Sequence, residues 1–481
     1  MSTFSFAQKD APIFDNFHQY SRREIAAFHT PGHRGGRGCE GLFRRLGGDL
    51  LALDLTELKG ANLEQDPDFL LRAAEKLAAE AFGAAHSYFL VNGASSGVVT
   101  AFLALKGKGS TVLVARNAHV SVLNGLVLSG LKPIFLSPTW VEGLPCLPAA
   151  ETVAKALAAH PQVAGVFVTN PGYHGIYGPL DAIATLCQAR KVPLVVDEAH
   201  GGHLRYIDPA IPEASRVGAD LWVWGLHKLM GSLTQTGVLH LGSTVFSREA
   251  VEEALTLVSS TSPSYLLLSS LDSARRQLYF HGREMFTQAA ELGSFLRRSC
   301  RDRPRLKIMT AAHLPPGYGL DPTKVVVSLT AAGWSGLDAE EILRRKYGVQ
   351  AEYADRDYLY FFISYAQKKQ EVTALGEALL ALAATPGPER GSRRLNPPPW
   401  AEAPLRLSPR AATQRPAVYL NLAEAAGQIA AGWVGAYPPG IPLWVPGEEI
   451  TRSMLEWLTA FLAHGGYVRG LQQGKVKVII Q

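Results

Sequence analysis

Trp224-Gly225-Leu226-His227-Lys228 sets a lysine directly after a short apolar run, and Thr234-Gln235-Thr236 follows it. Lysines ordinarily occupy solvated helix faces. One that closes a strand beside a histidine is suited to Schiff-base chemistry with a carbonyl. Taken alone, the segment is equally compatible with a solvated lysine.

Val195-Val196-Asp197-Glu198-Ala199-His200-Gly201-Gly202-His203 ends a second apolar run on an acid. A carboxylate there can hold a cationic ring nitrogen, as pyridoxal phosphate needs if its ring is to draw electrons from a substrate's α-carbon. Two other readings fit the spacing: Asp197 as a helix cap, or a metal site built from Asp197, Glu198, His200 and His203. Asn92-Gly93-Ala94-Ser95-Ser96-Gly97 offers backbone amides and hydroxyls at a strand-to-helix turn, a pattern that cradles phosphate. Arg116-Asn117-Ala118-His119 closes another apolar run with an imidazole able to lie on a flat cofactor.

These four clusters need a common scaffold. From Ser87 to Leu241, short β-branched runs alternate with helix-length amphipathic stretches. Strands are expected over 88–91, 111–115, 133–136, 165–169, 194–196, 221–224 and 237–241, with helices over 96–106, 149–160 and 181–190. The alternation predicts an α/β fold with a mostly parallel sheet and helices on both faces, its ligands beyond the carboxyl ends of the strands. One long helix is expected over 269–300. The expected division is an amino-terminal segment over 1–60, a large cofactor-binding domain over 61–300, a small α/β domain over 301–385, a Pro-rich linker over 386–416 without regular helix or sheet, and a carboxyl-terminal domain over 417–481.

The combination resembles the Orn/Lys/Arg decarboxylase family, pyridoxal-phosphate enzymes of fold type I. The resemblance extends to His29-Thr30-Pro31-Gly32-His33, Thr261-Ser262-Pro263-Ser264-Tyr265, Tyr437-Pro438-Pro439-Gly440-Ile441-Pro442 and Pro446-Gly447-Glu448. It implies that Lys228 carries the cofactor, Asp197 pairs with the pyridine nitrogen, and His119 stacks on the ring. It also implies that Ser95, Ser96 and His227 hold the phosphate and that His200 lies near the cofactor and the substrate carboxylate. The implied reaction is decarboxylation of arginine, lysine or ornithine, in polyamine-related metabolism. For the distal cation of such a substrate the candidate acids are Asp54, Glu57, Asp355 and Glu448, with Glu448 and Asp355 carried forward. The early position of the His29–His33 motif points to a short form lacking an amino-terminal wing domain. A homodimer or dimer-based oligomer is expected, with the 261–265 loop reaching the partner's cofactor pocket.

Three positions depart from the family pattern. Gly225-Leu226 stands where Ser-Thr or Ser-x precedes His-Lys, Ala94 where the phosphate turn has Ser or Thr, and Val120 where a lysine commonly follows the stacking histidine. Each lost hydrogen bond to a charged group costs about 1.5–3 kcal/mol. A catalytically silent member with a binding or regulatory role is therefore one alternative; an aminotransferase or carbon–carbon lyase of the same fold is another.

Composition narrows the field further. The 481 residues carry a net charge of +5 with the basic residues scattered, a weak basis for nucleic-acid or membrane binding. Apolar residues make up 47% and charged ones only 19%, which excludes global disorder and suits a surface partly covered in an oligomer. Cys39, Cys146, Cys187 and Cys300 form no C-x-x-C pair, and the amino terminus lacks the apolar core of a signal peptide. No metal is expected, and the expected compartment is the cytoplasm.

Overall fold

The computed structural model describes residues 6–23, 29–41, 45, 47–55, 69–243, 245–388 and 395–480. Seven strands carry the motifs above: β1 (His86–Leu90), β2 (Thr111–Ala115), β3 (Lys132–Leu136), β4 (Val166–Thr169), β5 (Leu194–Asp197), β6 (Leu221–Trp224) and β7 (Gly237–Leu241). The chain divides into two compact units, one comprising 1–104, 195–203 and 213–283, the other 105–194, 204–212 and 284–481.

In the first unit β5 runs parallel to β6, with Asp197 opposite Val223, while β7 is antiparallel to both β6 and β1. The strands read as mainly apolar runs because every residue of β5, β6 and β7 is buried, Asp197 and His240 included. The helix Gly93–Leu105 follows β1, and it packs close because position 97 is glycine. A Cβ there would sit 2.7 Å from Leu90 Cδ1 and 3.0 Å from Val223 Cγ1.

A long helix spans Tyr265–Ser299 and begins four residues earlier than the sequence suggests. Tyr265 is buried and stacks on Phe17 of its own chain, with centroids 4.3 Å apart and planes at 12°. Its ring is therefore part of this chain's own core, while residues 259–262 of the loop before it are exposed. On the same helix Arg275 and Asp272 form a fully buried ion pair at 2.8 Å. Asp272 also accepts the Ile13 amide at 2.8 Å, and Arg275 donates to the Gln8 carbonyl at 2.8 Å and to the Asp10 carbonyl. The amino-terminal segment is thus fastened by charge-assisted hydrogen bonds.

In the second unit β2 lies parallel to both β3 and β4. A four-stranded sheet in the order Lys307–Ile308, Lys324–Ser328, Leu359–Phe362, Tyr353–Ala354 has its own apolar core between Leu292 and Ala383. A further core lies between Ala425 and Val478, beneath the helix Arg452–Ala463. Having separate cores supports the proposal that 301–385 and 417–481 are domains. Inside the Pro-rich segment, Pro397–Pro399 are irregular as expected, but Pro409–Thr413 is helical. Ser408 explains the difference, because its hydroxyl accepts the Ala411 amide at 3.2 Å and proline suits the first helical position.

Replacing Arg275 by Met leaves Asp272 charged and buried without a counter-ion. Urea unfolding should show a loss of about 3–5 kcal/mol, most of it recovered when Asp272→Leu is added.

Candidate active site

In the first unit β5 and β6 end side by side. Asp197 closes β5 and is buried, and its Oδ1 accepts only the Ala199 amide, at 3.1 Å. Burial pushes its carboxyl up to about 6, against the opposing pull of Lys228. A buried acid in this condition lacks a cationic donor, and a protonated ring nitrogen would supply one.

Beyond β6 a single helical turn, Leu226–Leu229, carries His227 and Lys228. The Lys228 amide is tied to the Gly225 carbonyl at 3.0 Å, while its side chain is exposed. Gly225 lies against both neighbours: a Cβ there would be 3.0 Å from the Ala199 carbonyl oxygen and 3.2 Å from Lys228 Cγ. The departure from the family's serine thus removes a hydroxyl and gives the lysine stem room. His227 donates through Nδ1 to the Thr236 carbonyl at 2.7 Å, and burial lowers its pKa. Its neutral ring therefore presents Nε2 as an acceptor, and an incoming phosphate would favour the protonated form.

The phosphate turn is held from the lysine side. Gly93, with φ +76°, donates its amide to the Gln235 carbonyl at 2.8 Å, and Gln235 Nε2 donates to the Val91 carbonyl at 2.8 Å. Gln235 itself has φ +79°, a left-handed conformation that non-glycine residues seldom adopt. The sequence drew attention to Thr234-Gln235-Thr236 without finding this role, because a positive φ leaves no mark on a residue's type. Ser96 is buried and donates its hydroxyl to the Gly93 carbonyl at 2.8 Å, whereas Ser95 is exposed. The first turn of the helix Gly93–Leu105 carries no acid, so its amides after Gly93 could receive a phosphate without a competing charge.

His200 lies half-buried in the turn after Asp197. Its neighbour Glu198 accepts the Trp224 indole at 2.7 Å and the Ala214 amide at 3.1 Å, which accounts for that acid without a metal. Among the described residues no three His, Cys, Asp or Glu side chains cluster as metal ligands.

His119 belongs to the second unit. Its Nδ1 accepts the Ser121 amide at 3.1 Å and lies 2.9 Å from the Ser121 hydroxyl. The 437–442 motif packs on this histidine: the Val120 amide bonds the Gly440 carbonyl at 2.9 Å, and a Cβ on Gly440 would lie 3.1 Å from His119 Cδ2. Arg116, at the end of β2, donates to the Pro442 and Leu443 carbonyls at 3.0 and 2.9 Å and to Glu448 at 3.1 Å. Glu448 also accepts the Val445 amide at 2.8 Å. The expectation for Glu448 is corrected on this ground: its charge is met inside the protein and is not open to a substrate cation. Asp54 lies 3.1 Å from His33 Nε2, and Glu57 lies outside the described residues. Asp355 lines a cavity of the second unit.

Profiles of the Orn/Lys/Arg decarboxylase major and C-terminal domains match residues 11–314 and 404–473. The chain belongs to the Orn/Lys/Arg decarboxylase family. Arginine decarboxylase of Bacillus subtilis is 32% identical over 479 residues, covering 98% of both chains, and that of Bacillus anthracis 34% identical, covering 97% of this chain and 96% of the relative. The crystal structure of Francisella novicida lysine decarboxylase shares the fold, with a TM-score of 0.82 at 21% identity over 98% of this chain and 81% of that one. The protein is thus a pyridoxal-phosphate-dependent decarboxylase of basic amino acids with fold type I architecture. The buried Asp197 carboxyl with its single donor, and the room beside Lys228, suit that cofactor.

Asp197→Asn separates stability from cofactor binding. In cofactor-free protein the raised carboxyl pKa means that stability falls as pH rises from about 4 through about 6. The variant should therefore be more stable than the parent above pH 6, by at most about 3 kcal/mol, in a pH series of urea denaturations. Spectroscopic titration should show it binding pyridoxal phosphate more weakly.

Proposed function

We propose that the substrate is arginine and the product its decarboxylated amine, in polyamine-related metabolism. The observation that carries this is the near-complete, end-to-end match with two arginine decarboxylases.

Bound pyridoxal phosphate supplies an electron sink for the bond that breaks as carbon dioxide leaves. Lys228 binds the cofactor covalently, and its exposed amine is free to swing on a stem that Gly225 does not crowd. Once released from the cofactor, its ammonium group, or alternatively His200, would be the acid that delivers a proton to the α-carbon. Asp197 keeps the ring nitrogen protonated, and its unfavourable burial is relieved when that cation arrives. The amides of Ala94–Ser96, with the Ser95 and Ser96 hydroxyls and His227, would hold the phosphate, since the Gly93 amide is taken by Gln235. His119 covers the ring face, its own ring fixed through Nδ1. His200 stands by the substrate carboxylate. Asp355 is the remaining candidate for the distal cation, since Glu448 is paired with Arg116.

No described helix is long and apolar enough to cross a membrane, and all four cysteines are free thiols, which supports a cytoplasmic setting. A homodimer is favoured by the low charged content together with Tyr279 and Phe280, half-exposed on the long helix.

Borohydride reduction and peptide mapping should find the reduced cofactor on Lys228. Carbon dioxide release should be fastest from arginine among arginine, lysine and ornithine, with no requirement for a keto acid. Turnover that depends on a keto acid and releases no carbon dioxide would instead identify an aminotransferase.

A further inference from the structure

The second unit carries a half-open cavity of about 420 Å³ with aromatic walls, among them Tyr173, Tyr353, Tyr360, Trp400 and Trp457. Asp355 is fixed on its lining. Its Oδ1 accepts the Asp357 and Tyr358 amides at 2.8 and 2.7 Å, and its Oδ2 accepts the Tyr360 hydroxyl at 2.7 Å. All three donors are neutral. A carboxylate offers about four lone-pair sites, so one acceptor position and the full negative charge are left over. Among the described residues no basic side chain forms an ion pair with Asp355.

The walls suit a flat cation. Tyr353 stacks on Tyr360 with centroids 5.4 Å apart and planes at 20°, and Tyr173 meets Tyr353 edge-on at 6.3 Å. Tyr173 is held by its hydroxyl, which donates to Glu352 at 2.7 Å. Such rings attract a cation to their faces, and a planar guanidinium also stacks on them. The other charged residues on the lining are Asp357 and Arg356, so with Asp355 the walls sum to one negative charge. His174 adds none near neutral pH, because burial pushes its pKa down to about 4. A buried carboxylate without a counter-ion is costly, and burial pushes the Asp355 carboxyl up to about 6.

We propose that this chamber binds the guanidinium group of an arginine-type ligand, with Asp355 as its counter-ion and the tyrosine and tryptophan rings as its walls. The choice of guanidinium rests on the arginine reading above; the requirement for a cation rests on the chamber alone. The planar fork reaches the open lone pair of Asp355 while its faces lie on aromatic rings. An ammonium group satisfies the charge but forgoes the stacking, so the chamber discriminates between basic side chains.

The test uses probes that lack both amine and carboxylate and so cannot react with the cofactor. Calorimetry on the holoenzyme should show saturable binding of butylguanidinium, with butylurea, its uncharged counterpart of similar shape, at least tenfold weaker. In Asp355→Asn the two should come within about threefold of each other. Equal affinities in the parent, or a preference for the cation that survives in Asp355→Asn, would overturn the proposal. If the variant does not fold, as judged by near-ultraviolet circular dichroism, the comparison of the two probes on the parent still decides. Carbon dioxide release from arginine is measured separately, so failure of the arginine reading is distinguishable from failure of the chamber.

Discussion

Keeping a carboxylate charged at the buried end of a strand costs free energy, and the cofactor site is arranged around that cost at Asp197. The strand pairing sets Asp197 opposite Val223, so the acid and the turn carrying Lys228 follow adjacent strands at one level. The protein leaves the acid with a single backbone donor, although additional amides could have stabilised it. Its poor solvation could be relieved by a cationic ring nitrogen placed beside it. The same logic explains why the lysine is exposed: an amine held in a permanent ion pair with Asp197 would compete with the group the acid is there to meet.

A second constraint governs His119. The residues after β2 are tied to the carboxyl-terminal segment through the buried Arg116–Glu448 pair and two carbonyls of the 441–444 strand. A buried pair of this kind adds little net stability compared with apolar side chains, but losing one partner is severe. Its value here is registry. With Arg116 fixed on Pro442 and Leu443, the preceding Gly440 is held against the imidazole, and a turn rich in proline presents a rigid edge to that ring.

Much of this was legible in the chain itself. The bounds expected for strands 111–115, 221–224 and 237–241 match the structure, because short, mainly apolar runs between polar turns have few other interpretations. That Asp197 ends a strand and that Lys228 and His119 follow strands was legible for a similar reason, since such residue types stand out after apolar runs. What was not legible depends on partners far apart in sequence. Glu448 looked like a free acid until Arg116 appeared beside it, and Tyr265 looked like a loop residue until Phe17 covered it. Gln235 acts through a backbone angle and two main-chain contacts, which composition does not record. Ser408 was the opposite case, a local cap that a proline-rich context concealed.

The staple at Arg275 bears on where the protein begins in a functional sense. The family profile starts at residue 11, yet the buried guanidinium is completed by carbonyls at Gln8 and Asp10. Those residues lie just ahead of the profile match, and the buried charge makes them part of the interior. A chain trimmed to residue 11 would take away the Gln8 and Asp10 acceptors of Arg275 and leave its guanidinium short of hydrogen-bond partners. The edge of the folded unit at this end is thus set by a buried charge and lies ahead of the first residue of the profile match.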